Sequence, residues 1–353
     1  MSLLDKIMKA SRVKEIRVLS ESETIISRSF TSTDVPALNL ALSGNPLGGV
    51  YAGSTVIAGK SRHFKSKYLL RIMSCYLKAR PNAVGIFYDA EFSSPKSYFE
   101  SEGIDPDRII HCPIVSVEQL KNEMFFQLNG DGKQNPGIQR GDEVFMAIDS
   151  LGGLASMKEI DDAIEGKNVA DMSRAKALKG LFRVVRPHLI LKDLPLVSVN
   201  HTYQEIGYLP KETMSGGTGA MYNADDVWFV SRAQEKDGDE LSGFKFTIRI
   251  EKSRLVREGS KFPIFVSFKS GINRWSGLLE LAVETGVVQQ KGAWYTLPDG
   301  QKLQKTAISD LGETIWPPLL AGDFGTALNQ RFAYTPEEAQ AKAAAVKEEN
   351  GAE

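Results

Sequence analysis

Residues 54–70 read STVIAGKSRHFKSKYLL. An apolar run ends at Gly59, five residues intervene, and Lys65 and Ser66 open a stretch whose apolar residues recur at helical spacing. Strand, flexible turn and helix N-terminus, in that order, are the requirement for a phosphate-cradling loop. Backbone N–H groups and the helix dipole together receive negative charge there. The pattern predicts that Gly59, Lys60, Ser61, Arg62, His63, Phe64, Lys65 and Ser66 surround the phosphates of ATP. Lys65 would reach the β- and γ-phosphates, and the Ser66 hydroxyl would ligate Mg²⁺. A glycine ordinarily precedes the lysine, and here that position is Phe64. Taken alone, the segment reads equally as an ordinary strand-to-helix turn with an exposed lysine.

Two acidic strand ends change that balance. The run VFMAIDS ends at Asp149-Ser150, the form in which an aspartate reaches Mg²⁺ through water. The run VGIFYDAE ends with Asp89 and Glu91, and a carboxylate beyond a strand end can polarise an attacking water. Each alone is more often a solvated strand end or a helix cap. Together they supply three functional strand ends in order, at the place where open α/β sheets bind ligands. ATP and Mg²⁺ are the expected cofactors.

Working outward, apolar runs alternate with helical segments from about residue 36, the pattern of an α/β domain. Ser54–Ala58, Val84–Asp89, Val144–Asp149, Leu196–Asn200 and Val227–Val230 read as core strands. Most are continuous apolar runs, as strands covered on both faces should be. Ser66–Lys78 and Val169–Arg186 read as helices. The period then changes to two: Phe244, Phe246, Ile248 and Ile250 alternate with Lys245, Thr247, Arg249 and Glu251. With Phe262–Phe268 they predict an antiparallel pair closing one side of the sheet. After Gly277 a separate small unit with Trp294, Trp316 and Pro317-Pro318 is expected, and from about Pro336 a solvated or disordered Ala/Glu/Lys-rich tail. Near the start, Leu3, Leu4, Ile7 and Met8 lie at helical spacing, opposite Lys6, Lys9 and Lys14. So short a helix must dock elsewhere to be stable. The expected divisions are residues 1–30, 31–276, 277–335 and 336–353.

The chain has 353 residues, is 42% hydrophobic and 25% charged, and carries a formal net charge of −1. That is the composition of a soluble globular protein, and any DNA-binding face must be local. Cys75 and Cys112 form neither a disulfide framework nor a metal set. The opening segment lacks the apolar run of a signal peptide, and no stretch approaches the roughly 20 apolar residues of a membrane span. A soluble cytoplasmic protein is expected.

The series FKS, YDAE, IDSLGGLAS, VNHTY, SGGTG and EKSR, taken in order, resembles the RecA-like strand-exchange recombinases. It is nearest to the phage branch of the T4 UvsX type, in which a phenylalanine also precedes the lysine. The resemblance spans about residues 30–295. It implies a RecA-like P-loop ATPase core of α/β class, a mostly parallel twisted sheet flanked by helices. A short N-terminal polymerisation helix and a small C-terminal domain would complete it. It also implies roles. Glu91 would be the catalytic carboxylate, and Tyr98 would stack on adenine, with Pro95 where an acidic residue is common. His201 would replace a switch glutamine that senses the γ-phosphate; without the family it is a strand-end histidine bonded to backbone. Lys252 and Arg254 would reach a neighbour's γ-phosphate across the subunit interface; without the family they are an exposed pair in a basic stretch.

Two loops that follow core strands are the expected DNA contacts. The first leads into the helix ending at Arg186, where Leu178, Leu181, Phe182 and Val185 form the buried stripe. Arg174 and Lys176 off that stripe are its phosphate-contact candidates. The second, about Tyr203–Tyr222, holds Ser215, Gly216, Gly217 and Thr218, whose backbone can approach phosphates closely. Expected partners are single-stranded DNA, homologous duplex, further copies of the chain in a helical filament, a single-strand-binding protein and a loading mediator. A ring-forming ATPase or helicase of the same fold, and a single-strand-coating protein with structural nucleotide, remain the alternatives.

Overall fold

The continuous apolar runs become the centre of one mixed sheet in the computed structural model, which describes residues 2–13, 16–22, 29–167, 173–204, 212–237 and 240–334. Its strands are β1 (Gly53–Gly59), β2 (Val84–Asp89), β3 (Ile109–Pro113), β4 (Val144–Asp149), β5 (Pro195–Gln204), β6 (Glu212–Met214), β7 (Asp226–Asp237), β8 (Glu240–Lys252), β9 (Lys261–Ser267) and β10 (Gly271–Ile272). Across the sheet the order is β10-β9-β8-β7-β1-β5-β4-β2-β3, with β6 paired to the far end of β5. From β3 to β7 neighbours run parallel; from β7 through β8 and β9 to β10 each strand is antiparallel to the next. A second, three-stranded sheet holds β11 (Gln289–Lys291), β12 (Trp294–Thr296) and β13 (Lys302–Gln304).

Parallel strands deliver their carboxyl ends to one edge, and the register makes this concrete. Gly59 pairs with His201 and with Val230, and Asp89 pairs with Asp149. The residues named from separate stretches of sequence therefore share one edge.

The helices are α1 (Leu3–Ala10), α2 (Pro36–Ser43), α3 (Lys65–Ala79), α4 (Lys96–Ser101), α5 (Val117–Asn129), α6 (Met157–Ile164), α7 (Ser173–Lys192), α8 (Thr218–Asn223), α9 (Leu278–Glu284), α10 (Lys305–Asp310), α11 (Gly312–Ala321) and α12 (Asp323–Phe332). On one face of the sheet α2 and α3 bury Leu38, Leu69 and Ile72 against Ile57 and Phe87. On the other, α5 and α7 bury Leu120, Met124, Leu178 and Phe182 against Ile148 and Leu196.

One helix runs past its expected end. Helix α7 continues through Pro187, because Leu189 extends the buried stripe and outweighs one lost backbone bond. Residues 168–172, at the start of the helix expected from Val169, lie outside the described residues. The expected boundary at Gly277 is a left-handed turn (φ 75°), and apolar residues on its two sides pack together. Leu278, Trp316, Phe324 and Leu328 join the same cluster as the core strands, and Phe332 meets Phe262 at 4.9 Å. The expected tail at 336–353 also lies outside the described residues. Helix α1 carries a reciprocal Ser2–Asp5 capping box, and Leu3, Leu4 and Ile7 are exposed.

Candidate functional site

The loop from Gly59 to Ser66 closes on itself. The Lys65 ammonium is buried and donates to the Lys60 carbonyl at 2.9 Å. Burial lowers its pKa, while the nearby charges of Asp149 and Glu91 raise it in compensation. Phe64 caps α3 in the left-handed region, at φ 64° and ψ 14°. That conformation costs an ordinary L-residue roughly 1–2 kcal/mol, a cost glycine avoids. His63 must carry its proton on Nδ1, because its partner there, 2.6 Å away, is the Val230 carbonyl. Arg232 donates to the Arg62 carbonyl at 3.3 Å. Strand β7 thus grips the loop from the side.

Facing Lys65 is a cavity of about 200 Å³ lined in part by Ser66, Glu91, Tyr98, Asp149 and His201. Asp149 is buried, and burial pushes its carboxyl up to about 6. The Ser66 hydroxyl opposes that shift, and the charges of Glu91 and Asp89 add to it. Its Oδ1 has no hydrogen-bond partner among the described residues. A carboxylate oxygen shut away without a donor is costly unless a cation or its hydration water satisfies it. The Ser66 hydroxyl, the Asp149 carboxylate and the Lys65 ammonium therefore fit a Mg²⁺–nucleotide pair.

Glu91 accepts from His201 Nε2 at 3.0 Å and from the Ser150 hydroxyl. Its carboxyl is pulled down to about 2, chiefly by the His201 hydrogen bond; burial opposes this, and Ser150 and Lys65 assist. The loop carrying it is held by Asp89 Oδ1, which accepts from the N–H groups of Glu91 (3.1 Å) and Phe92 (2.7 Å). Tyr98 has the Lys67 ammonium 4.6 Å from its ring centre, and Glu102 holds that ammonium at 2.7 Å.

The other two catalytic candidates lie elsewhere. Lys252 ends β8 opposite Val227, and Val56 of β1 pairs with that same Val227. Beyond it, Arg254 pairs with Asp225, whose N–H bonds Ser54 at the start of β1. Along the six residue steps of β1, the start is about 20 Å from Gly59. Lys252 donates to three carbonyls at the end of α8: Met221 (3.1 Å), Tyr222 (2.6 Å) and Ala224 (2.8 Å). Burial, then the charge of Arg254, lowers its pKa to about 8. Arg186 also pairs with Asp225, at 2.7 Å. Burial would raise the Asp225 carboxyl, but the Arg186 hydrogen bonds and the two guanidinium charges hold it below its ordinary value.

The DNA candidates divide as well. Lys176 is exposed on α7. Arg174 turns inward, donating to the carbonyls of Leu154 (2.6 Å), Gly152 (2.9 Å) and Leu151 (3.1 Å) and to the Ser215 hydroxyl (3.3 Å). Ser215 is tied to the switch position: its N–H bonds the His201 carbonyl at 2.8 Å, and Asn200 Nδ2 donates to its own carbonyl at 2.9 Å. Gly216 and Gly217 have φ of 85° and 74°, and a Cβ on Gly216 would fall 2.3 Å from Leu178. Those glycines let the loop lie against α7. Thr218 begins α8, and residues 205–211 of the same loop lie outside the described residues.

Sequence reasoning missed Asp225, and it named Asp89 and Ser150 without the hydrogen bonds by which they hold Glu91. Ser150 follows the strand-end aspartate and Asp225 stands in an Asp-Asp pair before β7, so composition at strand ends carried a signal.

No family model matches the chain. A curated relative, the "Recombination and repair protein" of enterobacteria phage T4, is 44% identical over 294 residues, which are 83% of this chain and 73% of the relative. The chain belongs to the RecA-like recombinases. The RecA proteins of a Nocardioides species (26% identical; 75% of this chain, 72% of theirs) and of Streptomyces venezuelae (25%; 76% and 68%) are also similar. For a RecA-like recombinase near the T4 relative, a large mostly parallel sheet with a small antiparallel sheet is the observed architecture. Among the described residues no helix is long and apolar enough to cross a membrane.

Proposed function

We propose that this RecA-like recombinase is a DNA-stimulated ATPase. It assembles head to tail on single-stranded DNA as a helical filament, pairs that strand with homologous duplex and exchanges strands. One observation carries the nucleotide reading: the buried, partnerless Asp149 Oδ1 beside the Ser66 hydroxyl and the Lys65 ammonium. Ser66 and, through water, Asp149 hold Mg²⁺, which when bound offsets phosphate charge as a Lewis acid. The backbone of residues 59–64 and the Lys65 ammonium bind the phosphates, and Tyr98 supports the adenine.

Glu91 is the proton acceptor for the attacking water. Its Oε1 accepts from both His201 and Ser150. A γ-phosphate competing for the His201 N–H removes the largest cause of its depressed pKa, and Glu91 becomes a stronger base. His201 bonds Ser215 through its main chain, so the same residue stands at the root of the second DNA loop. Lys176, with Ser215, Gly216, Gly217 and Thr218, is the DNA-contact set; Arg174 braces the two loops from within.

Lys252 and Arg254 are too far along the sheet to serve their own chain's loop, which supports their action on a neighbour's γ-phosphate. The uncovered apolar face of α1 supplies the head-to-tail contact, and such a contact need not close. Residues 31–276 form the ATPase core, with residues 277–335 a small appended domain. A single-strand-binding protein and a loading mediator complete the proposed partners.

The test is ATP hydrolysis with and without single-stranded DNA, alongside electron microscopy with a slowly hydrolysed ATP analogue. Stimulation by DNA and open filaments are expected. Hydrolysis indifferent to DNA, or closed rings, sinks the reading.

A further inference from the structure

A residue that enters a helix in the left-handed region is ordinarily glycine, and here it is Phe64. Its ring stacks on Phe246 of β8, with centroids 5.1 Å apart and planes 28° from parallel. It also meets the edge of Tyr68 of α3 at 6.1 Å. Tyr68 and Phe246 pack edge to face at 6.1 Å, closing a cluster of three rings. Both supporting rings are shut away from solvent, at 0% and 1% exposure. The Tyr68 hydroxyl has no hydrogen-bond partner among the described residues, so what Tyr68 contributes here is its ring.

Residues 62 and 63 are held from the same hairpin. His63 donates to the Val230 carbonyl, and Arg232 to the Arg62 carbonyl. Strands β7 and β8 therefore grip three successive loop residues, two of them, Arg62 and Phe64, at positive φ.

We propose, on the strength of the nucleotide reading above, that β8 takes over the work of the missing glycine. Phe246, with Tyr68, holds the Phe64 ring and so fixes residue 64 in the conformation from which α3 and Lys65 start. Phe246 is a positioning residue: it acts on the phosphates through Phe64. A glycine loop is free to rearrange and must be ordered when its ligand arrives. A gripped loop is ordered beforehand, which lowers the entropic cost of binding.

The measurement is the Kd of the full chain for a fluorescent Mg–ATP analogue, with kcat for ATP beside it. Phe246→Leu keeps the core apolar and removes the ring. It should raise Kd about tenfold, equivalent to about 1.4 kcal/mol, with little change in kcat. Phe64→Leu should do the same, since it retains the unfavourable φ and loses the stack. Adding Phe64→Gly to Phe246→Leu should recover part of the lost affinity, because glycine takes the positive φ without support though it is not ordered beforehand. An unchanged Kd in Phe246→Leu overturns the proposal. So does an equal loss with and without Phe64→Gly, which would make Phe246 a general packing residue. An unaltered chain that binds no Mg–ATP sinks the nucleotide reading itself, and that shows before any variant is compared.

Discussion

The two edges of the central sheet hold charged groups in opposite conditions. At the carboxyl edge, Asp149 is buried with one oxygen unpartnered, and Lys65 rests on a carbonyl of its own loop. At the amino edge every cation of interest is engaged: Lys252 on three carbonyls, Arg254 and Arg186 on Asp225. The first edge leaves a buried carboxylate oxygen without a donor among the described residues. The second pairs its cations within the chain, which under the proposed function is charge held for a neighbour. A site assembled from both edges needs two copies, and the energy to draw Lys252 and Arg254 off their internal partners must come from the phosphate they reach.

The sharpest way to break this comparison is to disable one edge at a time. Lys65→Ala should leave no hydrolysis above background, and Arg254→Ala should lower kcat by about 10³-fold, as loss of an arginine finger does. Mixed together, the two inactive variants should regain activity, because some junctions then pair an intact loop with an intact Arg254. No recovery at any mixing ratio would mean the two edges do not share a site. Glu91→Gln should lower kcat by about 10²-fold, the scale of a lost general base, with Mg–ATP and DNA binding retained. Loss of binding in parallel would make Glu91 structural.

The smallest effect sharpens the contrast through stability. The Asp149 carboxyl sits at about 6 in the fold against 3.8 as the ordinary value. A raised carboxyl pKa means that the folded state holds its proton more firmly than the unfolded state does. The resulting stabilisation is present at low pH and is lost as pH rises from about 4 through 6. At pH 7 the nucleotide-free chain carries a cost on the order of 2–3 kcal/mol. Asp149→Asn should therefore raise its melting temperature, by about 1–2 °C per kcal/mol recovered, and lose the extra stabilisation that Mg–ATP confers. A lower melting temperature would show that the carboxylate is satisfied without a ligand.

Much of the carboxyl edge was legible because each of its residues ends an apolar run. Gly59, Asp89 and Asp149 close buried strands and His201 follows the buried stretch of β5, and parallel pairing then gathers them without further information. Strand β3 was not legible: as the sheet's edge it is half exposed, and Ile110 and His111 face solvent, so no continuous run marks it. Arg174 was placed on a basic face because its charge is visible in sequence. Its partners are main-chain carbonyls some 20 residues away, which leave no trace there. For Lys252 the position was visible and the three α8 carbonyls were not. The continuity of the core across Gly277 was hidden for a related reason, since Phe262 and Phe332 lie 70 residues apart.

The length of β1 has an arithmetical consequence. If the phosphate loop and the donated cations sit at its two ends, a run of n subunits contains only n−1 finished sites. The chain at one tip always has a loop that no neighbour completes. Turnover per chain should then be half its limiting value in a dimer and approach the limit as assemblies lengthen. Every severed junction silences one site, so mean assembly length can be read from hydrolysis rate alone.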